Sequence, residues 1–301
     1  MTTTIDTLLA QGGNGTDDAQ TGAVVTPLYF STAYRHPGLG ESTGFDYARL
    51  STPTRQVLEE QLARLEHGVQ GFATSSGMAA IDLVFATLLK TGDHFLTSDD
   101  LYGGTFRYFD DLVVHSGVSY TACRDLEDFP TQIRPETKLI WLETPSNPTM
   151  KITDIQALST AVKAVRPDII IAVDNTFLTP IFQQPLTLGA DVVVHSATKY
   201  LGGHNDILAG AVVTNQATIA EKLAASLVTR GQVLDPFSAW LLLRSLKTLH
   251  LRMARHHENG QFLADALKTV PGVTKVLYAG VGGMVSFYLA DGYDVDRFLK
   301  G

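Results

Sequence analysis

Residues 190–203 read ADVVVHSATKYLGG, in which Val192, Val193 and Val194 run toward Lys199, itself flanked by Ser196, Thr198, Gly202 and Gly203. Successive β-branched residues without a polar alternation suit a strand covered on both faces, because a strand solvated on one side would alternate. The hydroxyls and paired glycines that follow suit a loop that a ligand approaches closely. The stretch predicts a buried strand delivering a lysine to a polar site. A lone lysine after a strand is more often simply the first solvated residue, so the assignment depends on what the rest of the chain brings to the same place.

The chain has 301 residues, 45% of them apolar, enough to bury a full core and to form two domains. A net charge of -8 leaves no basic footprint, which argues against nucleic acid or an anionic membrane as partner. Cys123 is the only cysteine, so an intrachain disulfide and a thiolate zinc cluster are excluded and a reducing, cytoplasmic setting is expected. No histidine stands near it in SYTACRDLED, which makes it a passive thiol rather than a nucleophile. The first 34 residues hold no Lys or Arg and no long apolar run, unlike a secretory signal. No apolar run approaches the roughly 20 residues that span a bilayer.

Residues 1–44, rich in Thr, Gly and Ser, read as an arm with little core of its own, whose VVTPLYF segment needs another surface to cover it. From Pro53 the apolar residues Val57, Leu58, Leu62 and Leu65 recur at helical spacing. Next come a short strand, the small-residue turn Ser75-Ser76-Gly77-Met78 and an apolar helix. Free N–H groups at such a helix start form an anion site, although a turn of this kind alone more often serves tight packing. Tyr102 stands before Gly103-Gly104 in a loop where it could stack on a flat ligand. Strands at 139–142 and 169–173 end in Glu143-Thr-Pro-Ser-Asn-Pro and Asp174-Asn-Thr, with a helix at 155–165 between them.

Strands alternating with helices predict an α/β fold with a mostly parallel sheet covered by helices, the large domain running over 45–234. Ligands bind such sheets at the carboxyl ends of the strands. That rule gathers the 75–78 turn, Glu143, Asn147, Asp174, Ser196, Thr198 and Lys199. Residues 235–301 form a smaller α+β domain: a long apolar helix through Leu249, another from about Arg252 to Val270, and a strand at 281–288. His256 and His257 are adjacent, do not share a helix face, and are assigned to solvent rather than to a metal. No internal repeat or low-complexity run is present.

A lysine at one strand end, an aspartate at the next, an anion-binding turn and an aromatic are the parts that hold pyridoxal phosphate. The amine forms a Schiff base with the aldehyde, the aspartate keeps the ring nitrogen protonated, and the turn takes the phosphate with Ser196 and Thr198. Neither G-x-G-x-x-G nor G-x-x-x-x-G-K-[ST] occurs, which removes the dinucleotide and P-loop readings. A lysine aldolase would not need Asp174 and the phosphate features together.

The segments YARLSTPTR, SSGMAA, DLYGGT, ETPSNPTMK, VDNTF, HSATKYLGGHNDILAG, RSLKTLHLRM and GGMVSF, in that order, resemble the cystathionine lyase/synthase family of pyridoxal phosphate enzymes, of fold type I. The resemblance implies that Lys199 is the Schiff-base lysine and Asp174 the ring-nitrogen partner. It implies that Tyr102 stacks on the ring and assists proton transfer, and that Ser76, Gly77, Met78, Ser196 and Thr198 hold the phosphate. Glu143 and Asn147 line the pocket, Asn147 near the phenolic oxygen. Tyr47 and Arg49 reach the phosphate of a neighbouring subunit, so a dimer, usually paired into a tetramer, is implied.

The family normally has a longer loop between Tyr278 and Gly282 and further small-domain sequence after Gly301, including the arginine for the substrate carboxylate. The small domain is therefore expected to be incomplete, as part of a longer chain. The implied activity is carbon–sulfur cleavage of cystathionine in transsulfuration, foremost as a γ-lyase, with β-lyase activity and substrates such as cysteine or homocysteine alongside. Cystathionine γ-synthase is the alternative, and a non-catalytic cofactor-binding protein a further one.

Overall fold

The computed structural model describes residues 4–14 and 21–300. Its centre is a seven-stranded sheet made of β1 Gln70–Thr74, β2 His94–Ser98, β3 Ser119–Cys123, β4 Thr137–Glu143, β5 Ile170–Asp174, β6 Val192–His195 and β7 Gly210–Thr214, in the order β1-β7-β6-β5-β4-β2-β3. The pairs from β3 through β6 are parallel. β7 is antiparallel to both β6 and β1, so β7 alone is reversed. The mostly parallel α/β sheet expected from the sequence is observed.

The valine run is explained by the two cores. Val193, Ile171, Val173, Ile140, Leu142 and Val213 point to one face, where they meet Leu58, Leu62, Leu158 and Val162. Val192, Val194, Ala172, Trp141 and Val212 point to the other, against Ile81, Val84, Phe85 and Leu223. Each valine of β6 is fully buried, and alternate side chains must be apolar on both faces. Burying one such side chain stabilises the fold by about 1.5–3 kcal/mol.

The helix Pro53–Leu65 starts where Thr52 accepts a hydrogen bond from Arg55 N–H, with Pro53 in the first turn. It is buried beyond its apolar stripe. Arg55 is fully enclosed and donates to the carbonyls of Ala48 at 2.8 Å and Leu50 at 2.9 Å. The arm is not without structure either: the helix Ile5–Gln11 places Leu9 in the core against Pro53–Leu65. Val24, Val25 and Phe30 remain exposed; Gly15, in the same arm, lies outside the described residues.

In the C-terminal region the sequence expectations shift. The apolar helix ends at Leu246 and a second begins at Leu249, running to Leu267. A two-stranded antiparallel sheet, β8 Val273–Tyr278 and β9 Val285–Leu289, packs on the second helix. The strand expected at 281–288 therefore starts later, and β8 was missed. Gly282 has φ +80°, and a Cβ on Gly283 would fall 2.9 Å from His256 Cβ. Gly283 brings backbone close against the helix Leu249–Leu267, and pairing with β8 begins only at Val285. A short helix, Val295–Lys300, follows. Among the described residues no helix is long and apolar enough to cross a membrane.

Candidate active site

A cavity of about 580 Å³ opens at the carboxyl ends of β1, β4, β5 and β6. Ser76, Gly77, Met78, Tyr102, Glu143, Asn147, Asp174, Ser196, Thr198 and Lys199 all line it. Tyr47 and Arg49 do not. Arg49 Nη1 donates to Val228 O at 2.6 Å and its guanidinium lies 5.6 Å from the centre of the half-exposed Tyr47 ring.

Lys199 is exposed toward the cavity rather than buried, and among the described residues its amine has no hydrogen-bond or ion-pair partner. Its turn is tied by Lys199 N–H to Ser196 O at 3.1 Å and Thr198 N–H to Ala209 O at 3.1 Å. The Thr198 hydroxyl exchanges hydrogen bonds with Ala209, donating at 3.1 Å and accepting at 3.0 Å, so its rotatable proton must leave Ala209 O to reach an anion. Ser196 N–H donates to Thr176 Oγ1 at 2.8 Å.

Glu143 and Asp174 are register partners at the ends of β4 and β5. Burial, and then the neighbouring Asp174, push the Glu143 carboxyl up to about 7. Burial raises Asp174 as well, against the pull of Thr176, whose N–H donates to Asp174 Oδ1 at 2.9 Å, and of His195. Two confined acids side by side call for a positive partner. Glu143 Oε2 also accepts from Tyr102 N–H at 2.7 Å, which fixes the start of the helix Gly103–Ser116 and with it the Tyr102 ring.

The start of the helix Gly77–Leu88 lines the same cavity as the carboxylates. Ser76 caps it by accepting from Ala79 N–H at 3.1 Å, while the N–H groups of Gly77 and Met78 have no partner among the described residues. A Cβ on Gly77 would stand 2.7 Å from Ser196 Cβ and 2.9 Å from its Oγ. The missing side chain leaves a cradle of N–H groups and a hydroxyl shaped for an anion. An anion cradle, a carboxylate that favours a protonated ring nitrogen and a free amine fit pyridoxal phosphate.

The profile described as Cys/Met metabolism PLP-dependent enzyme matches residues 6–294. The chain belongs to that family. Pyridoxal 5'-phosphate is accordingly its cofactor. Among curated relatives, a cystathionine gamma-synthase/O-acetylhomoserine (thiol)-lyase of Bacillus subtilis (strain 168) is 48% identical over 100% of this chain and 80% of its own length. A cystathionine beta-lyase of Lactococcus lactis subsp. cremoris (strain MG1363) is 44% identical over 99% of this chain and 82% of its own. The crystal structure of a cystathionine gamma-lyase from Lactobacillus plantarum complexed with L-serine superposes with a TM-score of 0.94 at 40% identity, covering 99% of this chain and 82% of that one. The fold is that of these PLP-dependent transsulfuration enzymes.

Several cavity residues escaped the sequence reading. Tyr200 and Met284 line the wall, and so does His256, whose ring meets Tyr200 at 4.9 Å. His256 is exposed, as the sequence suggested, but it lines the cavity, whereas His257 is half-buried with Nδ1 3.2 Å from Tyr278 Oη, which corrects its assignment to solvent. The charged neighbours Arg252, Arg255 and Glu258 gave no sign that one edge of helix Leu249–Leu267 would reach the cavity. Among the described residues no cluster of His, Cys, Asp or Glu is placed to hold a metal. Cys123 is buried, and burial, aided by Asp128 and Asp99, pushes its thiol up to about 12, which leaves it inert.

Proposed function

We propose that this family member cleaves the side-chain carbon–sulfur bond of cystathionine, foremost as a γ-lyase, with Lys199 as the residue that links to the cofactor. The observation that carries this is the free Lys199 amine sharing one cavity with the Glu143–Asp174 pair and the helix start at Gly77. When bound, pyridoxal phosphate supplies an electron sink for the carbon acid of an amino-acid substrate.

The chain's residues supply the rest. Asp174 holds a proton on the ring nitrogen, which its own charge stabilises. Gly77 and Met78 N–H groups and the Ser196 hydroxyl donate to the phosphate at the positive end of the helix dipole, joined by the Thr198 hydroxyl once its proton turns from Ala209 O to the anion. The Lys199 amine would take the α proton of the substrate as general base. Tyr102 covers one side of the cavity, where its phenol can hand on a proton. Glu143 positions Tyr102, and Asn147 serves the ring's oxygen. Tyr47 and Arg49, turned away from their own cavity, complete the phosphate site of a second copy, which makes the active unit a dimer and its pair a tetramer.

Cystathionine γ-synthase is the second reading, favoured by the 48% identity to the Bacillus subtilis relative of that name. One assay separates the two. Keto acid and ammonia from cystathionine support cleavage, net cystathionine from an O-acylhomoserine plus cysteine supports the synthase, and cofactor binding without either turnover contradicts both.

A further inference from the structure

The turn that presents Lys199 spends its amides internally: Gly202 N–H donates to Ala197 O at 2.8 Å and Gly203 N–H to Lys199 O at 2.7 Å. The next two carbonyls, of Tyr200 and Leu201, accept from a single side chain instead. Arg252 Nη1 lies 2.6 Å from Tyr200 O and Nη2 3.4 Å from Leu201 O. The same guanidinium donates through Nη2 to Ser245 O at 3.0 Å and through Nε to Thr248 Oγ1 at 3.1 Å. One planar fork thus ties the Lys199 turn to the corner between the helices Pro236–Leu246 and Leu249–Leu267.

Two observations show that the arrangement is specific. Arg252 sits in the first turn of its helix, at the positive end of the dipole, where a cation is disfavoured; the four contacts outweigh that cost. Gly203, at φ +74°, stands against the guanidinium so closely that a Cβ there would overlap it. A lysine, a point charge on a flexible stem, cannot span the same four acceptors. One helical turn later His256 packs on Tyr200, so two turns of this helix brace the segment after Lys199.

We propose that Arg252 is a positioning residue that fixes the Lys199 turn through the Tyr200 and Leu201 carbonyls, so that the amine enters the cavity at one place. This rests on the reading of Lys199 as the cofactor-linked residue. The test measures covalent incorporation of pyridoxal phosphate into the full chain after borohydride reduction, against cofactor concentration, alongside thermal unfolding. The variants are Lys199→Ala, Arg252→Lys, Arg252→Ala and Gly203→Ala.

Lys199→Ala should incorporate none. Arg252→Lys should need roughly tenfold more cofactor or worse, since a small misplacement of a reacting group is costly, while unfolding near the parent temperature; Gly203→Ala, strained at its positive φ, should lose more incorporation than its lowered unfolding temperature accounts for. Added methylguanidinium should restore part of the loss in Arg252→Ala. Incorporation by Arg252→Lys at the parent concentration would overturn the proposal, as would a loss in Arg252→Ala that only tracks its unfolded fraction. Incorporation by Lys199→Ala would overturn the reading of Lys199 itself, and with it this role.

Discussion

Glu143 and Asp174 stand directly opposite one another in the register of β4 and β5, two acids at adjacent strand ends facing the same cavity. Burial and Asp174 hold Glu143 up to about 7, above its ordinary 4.5. A carboxyl raised on folding binds its proton more tightly in the folded state, so stability declines as pH rises through that interval. The cofactor-free protein should lose up to about 3 kcal/mol of unfolding free energy between pH 4.5 and 7 from this group. Urea titrations across that range check it, and Glu143→Gln should flatten its part of the slope.

Gly77→Ala tests the anion cradle. Its methyl would fall within 2.7 Å of Ser196 Cβ, and such overpacking costs about 1–3 kcal/mol. Pyridoxal phosphate affinity, read by equilibrium dialysis, should drop by about tenfold or more. Inorganic phosphate should compete with the cofactor in the parent and much less in the variant.

Arg49→Ala and Lys199→Ala probe the assignment of Arg49 to a second copy's site. Each alone should be close to inactive. Random reassociation of the two should regain about a quarter of parent activity, because half of the dimers are hybrids and each hybrid keeps one complete site. No recovery in confirmed hybrid dimers would place Arg49 outside the neighbour's site.

Arg55→Ala tests how the segment carrying Tyr47 and Arg49 is held. The enclosed Arg55 grips the carbonyls of Ala48 and Leu50, on either side of Arg49, and lies 3.4 Å from Glu59. Its loss strands those acceptors and leaves the partly buried Glu59 carboxyl without its partner, for about 2–4 kcal/mol in urea denaturation.

Much of this was legible in the chain because buried parallel strands leave an unmistakable mark. Val192, Val193 and Val194 named β6, and the turn residues after 74, 143 and 174 named the strand ends that meet in the cavity. What escaped was set by tertiary contact. The spacing of Val57, Leu58, Leu62 and Leu65 does not single out Arg55, a buried anchor whose partners lie in a loop and not in its own periodicity. His256 is exposed as its charged neighbours suggest, but nothing local shows that its ring meets Tyr200 at the cavity. β8 was missed because only pairing with β9 makes a strand of Val273–Tyr278, with its exposed Thr274 and Lys275.

The most direct measurement reduces the cofactor-loaded protein with borohydride and maps the modified peptide. The account predicts that reduced pyridoxal phosphate is fixed on the peptide containing Lys199, and that Lys199→Ala retains a folded structure with no covalent label. Label on any other lysine, or an undiminished label in Lys199→Ala, would contradict it.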